Sequence, residues 1–201
     1  TAEVLKEALA LNTTLEELVM TISFRLESEP VGLPDVFDAV CGSHLHSFKL
    51  INTELCKEQT VRSLGQVLMY NTTLTNLTIM GCGNRATGPY MNYVHDGLMA
   101  NSTLLTLDLT GWDLSSEAAL YWMEAIVRQV KLHKLYLGRT ELADSHMETL
   151  YKAYYSNPDL RWVDVTGNPY DKFNDGLFYA HARTNRRRHA SLLSLVEKSQ
   201  K

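Results

Sequence analysis

The sequence predicts an α/β fold: a curved right-handed solenoid with parallel strands on its concave face and helices on its convex face. Three observations predict it. The pattern L-x-x-L-x-L occurs six times, led by Leu15, Leu45, Leu74, Leu104, Leu132 and Leu160, at separations of 30, 29, 30, 28 and 28 residues. Between these motifs, apolar residues recur at helical spacing and keep fixed offsets from the motif that follows. Self-similarity at such a period marks stacked units, each too small to bury its own apolar side.

The elements follow in order. Ala2, Leu5 and Leu9 stand ten, seven and three residues before Asn12, as one face of a first helix. Leu15, Leu18 and Met20 then alternate as a strand with one buried face. The segment from Ser23 to Pro34 carries Pro30 and Pro34 with Glu27 and Glu29, and reads as an irregular loop where a helix should start. Leu45, Phe48 and Leu50 form the second strand. Val61, Leu64 and Leu68 form a helix at the same three offsets, now before Asn71. Leu74, Leu77 and Ile79 are the third strand, broken by Gly81 and Gly83. Met91, Val94 and Leu98 make the next helix, which Asn101 ends. Leu104, Leu107 and Leu109 precede a helix on Ala119, Trp122 and Ile126. Leu132, Leu135 and Leu137 precede one on Met147, Leu150 and Tyr154, before Asn157. Leu160, Val163 and Val165 close the series. A decayed seventh start follows: Asn185 repeats Asn157, Arg188 replaces the leading leucine, Ser191 takes the second site, and Phe178 and Ala182 take the helix offsets.

On these residues the chain resembles the leucine-rich repeat family, in the long-repeat type found in ribonuclease inhibitor. The resemblance rests on the six motifs, on Asn12, Asn71, Asn101 and Asn157 three residues before a leading leucine, and on the closing Leu55, Leu114, Leu142 and Tyr170. It covers roughly residues 1 to 185. It implies one domain over 1–201, with 171–201 as a degenerate C-terminal cap. It also implies a ladder of Asn, Cys or Thr three residues after the last strand leucine. Here those positions hold Thr53, Cys82, Trp112, Thr140 and Asn168. The indole of Trp112 is too large for such a slot, so a local rearrangement with the ring displaced outward is expected there.

Composition bounds the function. No apolar run approaches the roughly 18 residues of a membrane span. The three cysteines, Cys41, Cys56 and Cys82, fit no zinc spacing and read as reduced thiols of a cytoplasmic protein. Asn12, Asn71, Asn76 and Asn101 lie in N-x-[ST] sequons. They read instead as joint residues, Asn being tolerant of left-handed backbone, with Asn76 inside a strand. The seven histidines are scattered, with no carboxylate or thiol placed to complete a metal set. His95 and Asp96, adjacent on a helix, should point apart. No nucleophile, P-loop or dinucleotide motif occurs. The expectation is a protein that is not an enzyme and uses no cofactor.

Two candidate surfaces remain. The tail from His181 to Lys201, with Arg183, Arg186, Arg187 and Arg188, carries a net +5 against −9 for the rest of the chain. It is either a polar cap or a binder of an anionic surface, in a cytoskeletal or membrane-proximal role. The strand positions between the leucines are the second surface. There Trp162, Tyr136, Met80 and Ile51 are expensive to expose without a partner, and Asp108, Asp164, Lys134 and Lys49 supply charge. The partner-binding candidates are therefore Trp162, Tyr136, Asp108, Asp164, Lys134, Lys49 and Met80. Trp162 has a competing role as packing for the terminal segment around Phe173 and Leu177. The expected function is a protein-binding module or scaffold. The resemblance also includes innate-immune sensors, actin-filament cappers and regulators of small GTPases. The last would need a loop residue such as Arg139 or Arg85.

Overall fold

Among the described residues, six parallel strands form one sheet, in the order in which they occur in the chain. The architecture comes from a computed structural model that describes residues 2–22, 32–53, 55, 57–81, 90–115, 131–142, 146–147, 149–150, 154, 157 and 159–169. Its elements are α1 (Ala2–Leu11), β1 (Glu17–Thr21), α2 (Leu33–Cys41), β2 (Ser47–Thr53), α3 (Glu58–Tyr70), β3 (Asn76–Gly81), α4 (Met91–Ala100), β4 (Thr106–Asp108), β5 (Lys134–Tyr136) and β6 (Trp162–Asp164). The pairing register sets like motif positions against one another. Leu18 faces Phe48, Phe48 faces Leu77, Leu77 faces Leu107, Leu107 faces Leu135, and Leu135 faces Val163. A one-residue slip would turn every leucine to water, so burial holds this register.

The helices bury the residues that the periodicity singled out. Val61, Leu64 and Leu68 of α3 are buried, as are Met91, Val94 and Leu98 of α4. Met147, Leu150 and Tyr154, also helical, are buried too. Helices α3 and α4 approach at backbone distance. A Cβ placed on Gly97 would lie 2.5 Å from the Gly65 carbonyl oxygen, and one on Gly65 would lie 2.5 Å from the Tyr93 carbonyl oxygen. These two glycines set the spacing of the helix layer.

Several expectations need correction. A helix, α2, forms where an irregular start was expected. Pro34 lies in its first turn, where a missing N–H costs nothing, and Gly32 enters it with a left-handed φ of 95°. The segment 23–31 lies outside the described residues. The joint asparagines are correct in place but not in cause. Asn71 and Asn101 have φ of −74° and −71°, ordinary extended backbone. Their side chains explain them. Asn71 Oδ1 accepts from the Thr73 and Leu74 N–H groups at 3.0 and 2.7 Å, while its Nδ2 donates to the Val40 carbonyl at 2.9 Å. Asn101 does the same with Thr103, Leu104 and Leu68. His95 and Asp96 do meet, at 3.0 Å, because neighbouring side chains at a helix surface can bend together.

Trp112 is the largest correction. It is fully buried, not displaced. Its indole N–H donates to the Ile79 carbonyl at 2.6 Å. Asn168 Nδ2 makes the equivalent bond to the Leu137 carbonyl at 2.8 Å. In each case the residue three after the last strand apolar reaches back to the last strand apolar of the preceding unit. The indole fits because it carries one N–H donor of the kind this position requires.

Candidate functional site

Alternate strand residues turn away from the core, and the register sorts them into two rows across the sheet. One row runs Glu17, Ser47, Asn76, Thr106, Lys134, Trp162. The other runs Val19, Lys49, Thr78, Asp108, Tyr136, Asp164. Neighbours within a row stand about 4.8 Å apart, one strand spacing.

Five of the expected partner-binding residues come together on β4, β5 and β6. Tyr136, half-buried, sits between Asp108 and Asp164 in one row. Trp162, 42% exposed, sits beside Lys134 in the other. Tyr136 and Trp162 are therefore diagonal neighbours, about 8 Å apart from strand spacing and two residues of rise. The carboxylates have a second duty that the sequence reading missed. Asp108 Oδ1 accepts from the Thr110 N–H at 2.9 Å, and Asp164 Oδ1 accepts from the Thr166 N–H at 2.9 Å. Each closes the turn after its strand, which fixes the carboxylate in place beside Tyr136. The repeated D-x-T (Asp108-Leu109-Thr110 and Asp164-Val165-Thr166) was the available signal.

Lys49 and Met80 do not join this patch. Lys49 lies on β2, where its Nζ pairs with Glu17 Oε1 at 2.6 Å. The Ser47 hydroxyl donates to the same oxygen at 3.0 Å. The hydrogen bond from Lys49, then that from Ser47, holds the Glu17 carboxyl below its ordinary pKa. Met80 lies on β3 opposite Ile51, and both are half-buried. Val19, which the sequence reading did not single out, is 51% exposed on the same face.

The loops after β4, β5 and β6 border an open cleft of about 770 Å³, lined by Gly111, Trp112, Asp113, Ser115, Arg139, Glu141 and Pro169. Arg139 and Glu141 hold left-handed φ values of 54° and 59°. The Arg139 stem lies across Gly167, where a Cβ would meet its Cγ at 2.9 Å. One cation among two carboxylates gives the cleft no concentrated positive charge for a phosphate. Arg85 lies outside the described residues. So do Phe173, Leu177 and the tail arginines Arg183, Arg186, Arg187 and Arg188.

Cys41 is a free thiol whose Sγ approaches the Gln66 carbonyl at 3.6 Å. Burial, then the charge of Asp38, pushes its pKa up. Cys56 and Cys82 lie outside the described residues. Among the described residues no group of three His, Cys, Asp or Glu side chains could hold a metal ion. None of their helices is long and apolar enough to cross a membrane. Comparison of this chain with protein-family models and with curated proteins finds no match.

Proposed function

We propose that the chain is a leucine-rich repeat solenoid, a single domain over residues 1–201, acting as a non-catalytic protein-binding module. The face turned away from the core on β4, β5 and β6 is its binding surface. The observation that carries this reading is the patch itself: an exposed indole at Trp162 next to a tyrosine held between two fixed carboxylates. Large aromatics rimmed by charge are the groups that dominate protein interfaces. The chemistry favours a partner that offers a basic side chain. Asp108 and Asp164 attract the cation, and the Tyr136 ring offers it a face. Two features support a reducing, cytoplasmic setting: the free thiol of Cys41, and the engaged amides of Asn71 and Asn101, whose Nδ2 atoms are occupied as donors.

The test is Trp162→Ala, measured against a partner isolated with the native chain. The expected result is an unchanged melting temperature and a binding loss of at least ~2 kcal/mol, about thirtyfold in Kd. A variant that melts early, yet binds normally below its transition, makes Trp162 a packing residue and removes the reading's main support.

A further inference from the structure

The charged residues around Tyr136 include opposite charges that stand close together and stay unpaired. The register supplies the comparison. Glu17 on β1 and Lys49 on β2 are diagonal neighbours, one strand over and two residues on. They close an ion pair at 2.6 Å, although both side chains are part-exposed. Lys134 on β5 and Asp164 on β6 hold the same diagonal. Lys134 and Asp108 on β4 hold its mirror image. Each diagonal spans about 8 Å, one strand spacing and two residues of rise. Yet among the described residues no carboxylate pairs with the Lys134 ammonium.

The aspartates are held away from it. Asp108 Oδ1 accepts from the Thr110 N–H and Asp164 Oδ1 from the Thr166 N–H, both at 2.9 Å. These bonds draw each carboxylate forward along its strand, and Lys134 lies two residues behind. A second cation stands at the level of Lys134. Arg161 is exposed, and its N–H shares the His133 carbonyl with the Trp162 N–H, at 2.8 and 3.1 Å, where β6 begins beside β5. Among the described residues no carboxylate pairs with its guanidinium either. The patch is therefore bipolar. Lys134 and Arg161 stand at the strand starts with Trp162, and Asp108 and Asp164 stand about two residues further on, either side of Tyr136. Side-chain length follows the same division. The cations are on long side chains that extend from the sheet, and the carboxylates are on short ones close to it.

We propose that the patch binds an extended polypeptide segment that carries an acidic and a basic side chain two residues apart, laid along β5. The inference rests on Tyr136 and Trp162 forming a binding surface, and adds the acidic residue and the spacing. An extended segment presents alternate side chains to one face, at the same rise as the strand beneath it. An acidic residue over Lys134 and Arg161 therefore sets the residue two positions away over Tyr136. A basic side chain there reaches down between Asp108 and Asp164 and meets the ring face. A segment with basic residues at both positions sets like charges against Lys134 and Arg161, which selects against it.

The experiment titrates the whole chain with blocked peptides of one framework, centred on Glu-Thr-Arg, Gln-Thr-Arg or Glu-Thr-Thr-Arg. The third keeps both charges but turns them to opposite faces of an extended chain. Backbone amide shifts of Lys134, Tyr136 and Trp162 by nuclear magnetic resonance give each Kd. Glu-Thr-Arg is expected to bind at least ~fivefold more tightly than either of the others. Lys134→Gln is expected to remove its advantage over Gln-Thr-Arg and to leave the melting temperature nearly unchanged. Two results overturn the proposal: Gln-Thr-Arg binding as tightly as Glu-Thr-Arg, or Lys134→Gln binding Glu-Thr-Arg more tightly than the native chain does. A partner with a basic group alone gives the second result, because it gains when a neighbouring cation is removed. In either case the patch remains a binding surface if Trp162→Ala weakens all three peptides. If no peptide moves the Tyr136 and Trp162 amides, the proposal and the binding surface fall together.

Discussion

Replacing Trp112 by Phe tests whether an indole N–H fastens β3 to β4. The ring is fully buried, and its only polar atom donates to the Ile79 carbonyl at 2.6 Å. Phenylalanine keeps the six-membered ring and removes the donor. Leaving a buried carbonyl short of its partner costs about 1–3 kcal/mol. The lost pyrrole atoms leave a void that adds about 1–2 kcal/mol. Relaxation is restricted, because Gly111 beside it holds a left-handed φ of 80° and lies against the Gly81 carbonyl. The sum is about 2–5 kcal/mol, with Trp112→Ala at or above the upper end. Urea titration followed by far-ultraviolet circular dichroism measures it, and an unchanged slope shows that the unfolded state is comparable. A loss below about 0.5 kcal/mol for Trp112→Phe would refute the assignment of the indole as the ladder donor.

Two further substitutions probe other parts of the structure. Gly97→Ala brings a Cβ to 2.5 Å from the Gly65 carbonyl oxygen and 2.8 Å from Leu68 Cβ. It should destabilise by about 1–3 kcal/mol in the same titration, although alanine is the better helix former by about 1 kcal/mol; a stabilised variant would mean that the helices part freely. The Glu17 carboxyl is depressed chiefly by its hydrogen bond from Lys49. Its contribution to stability is therefore present above the unfolded-state pKa and lost as pH falls through the lower folded-state value. In Lys49→Met the Glu17 carboxyl should titrate higher by nuclear magnetic resonance. An unmoved titration would assign the depression to Ser47 alone.

The strand register was legible because a leucine every second position has only one buried solution. The helix faces were legible for the same reason at their own period. What escaped was chemistry that depends on single atoms. Trp112 was judged by volume, which hides the fact that its one N–H serves as the amide of Asn168 does. Asn71 was placed correctly, but its role lies in its side-chain hydrogen bonds and not in backbone conformation. The start of helix α2 was missed because Pro34 suggested a loop, although it sits where a helix tolerates it. Gly65 and Gly97 gave a usable signal: glycines in mid-helix need a reason, and here the reason is a neighbouring backbone. At the candidate site, the legible register supplied Tyr136 with an aspartate on either side and Lys134 beside Trp162. What it did not supply was the turn hydrogen bond that each aspartate accepts.

The patch proposed as the binding surface joins two kinds of group, and they can be tested apart. Trp162, 42% exposed, offers apolar area. Asp108 and Asp164 offer charge on either side of Tyr136. Each carboxylate also accepts from the N–H two residues on, at 2.9 Å. Asparagine keeps an oxygen acceptor for that bond and removes the charge. The double substitution Asp108→Asn with Asp164→Asn should therefore leave the melting temperature nearly unchanged. Against a partner that offers basic side chains it should slow association and flatten the dependence of the association rate on salt. An association rate unmoved at low salt would remove the basic partner from the proposal and leave Trp162 to carry it.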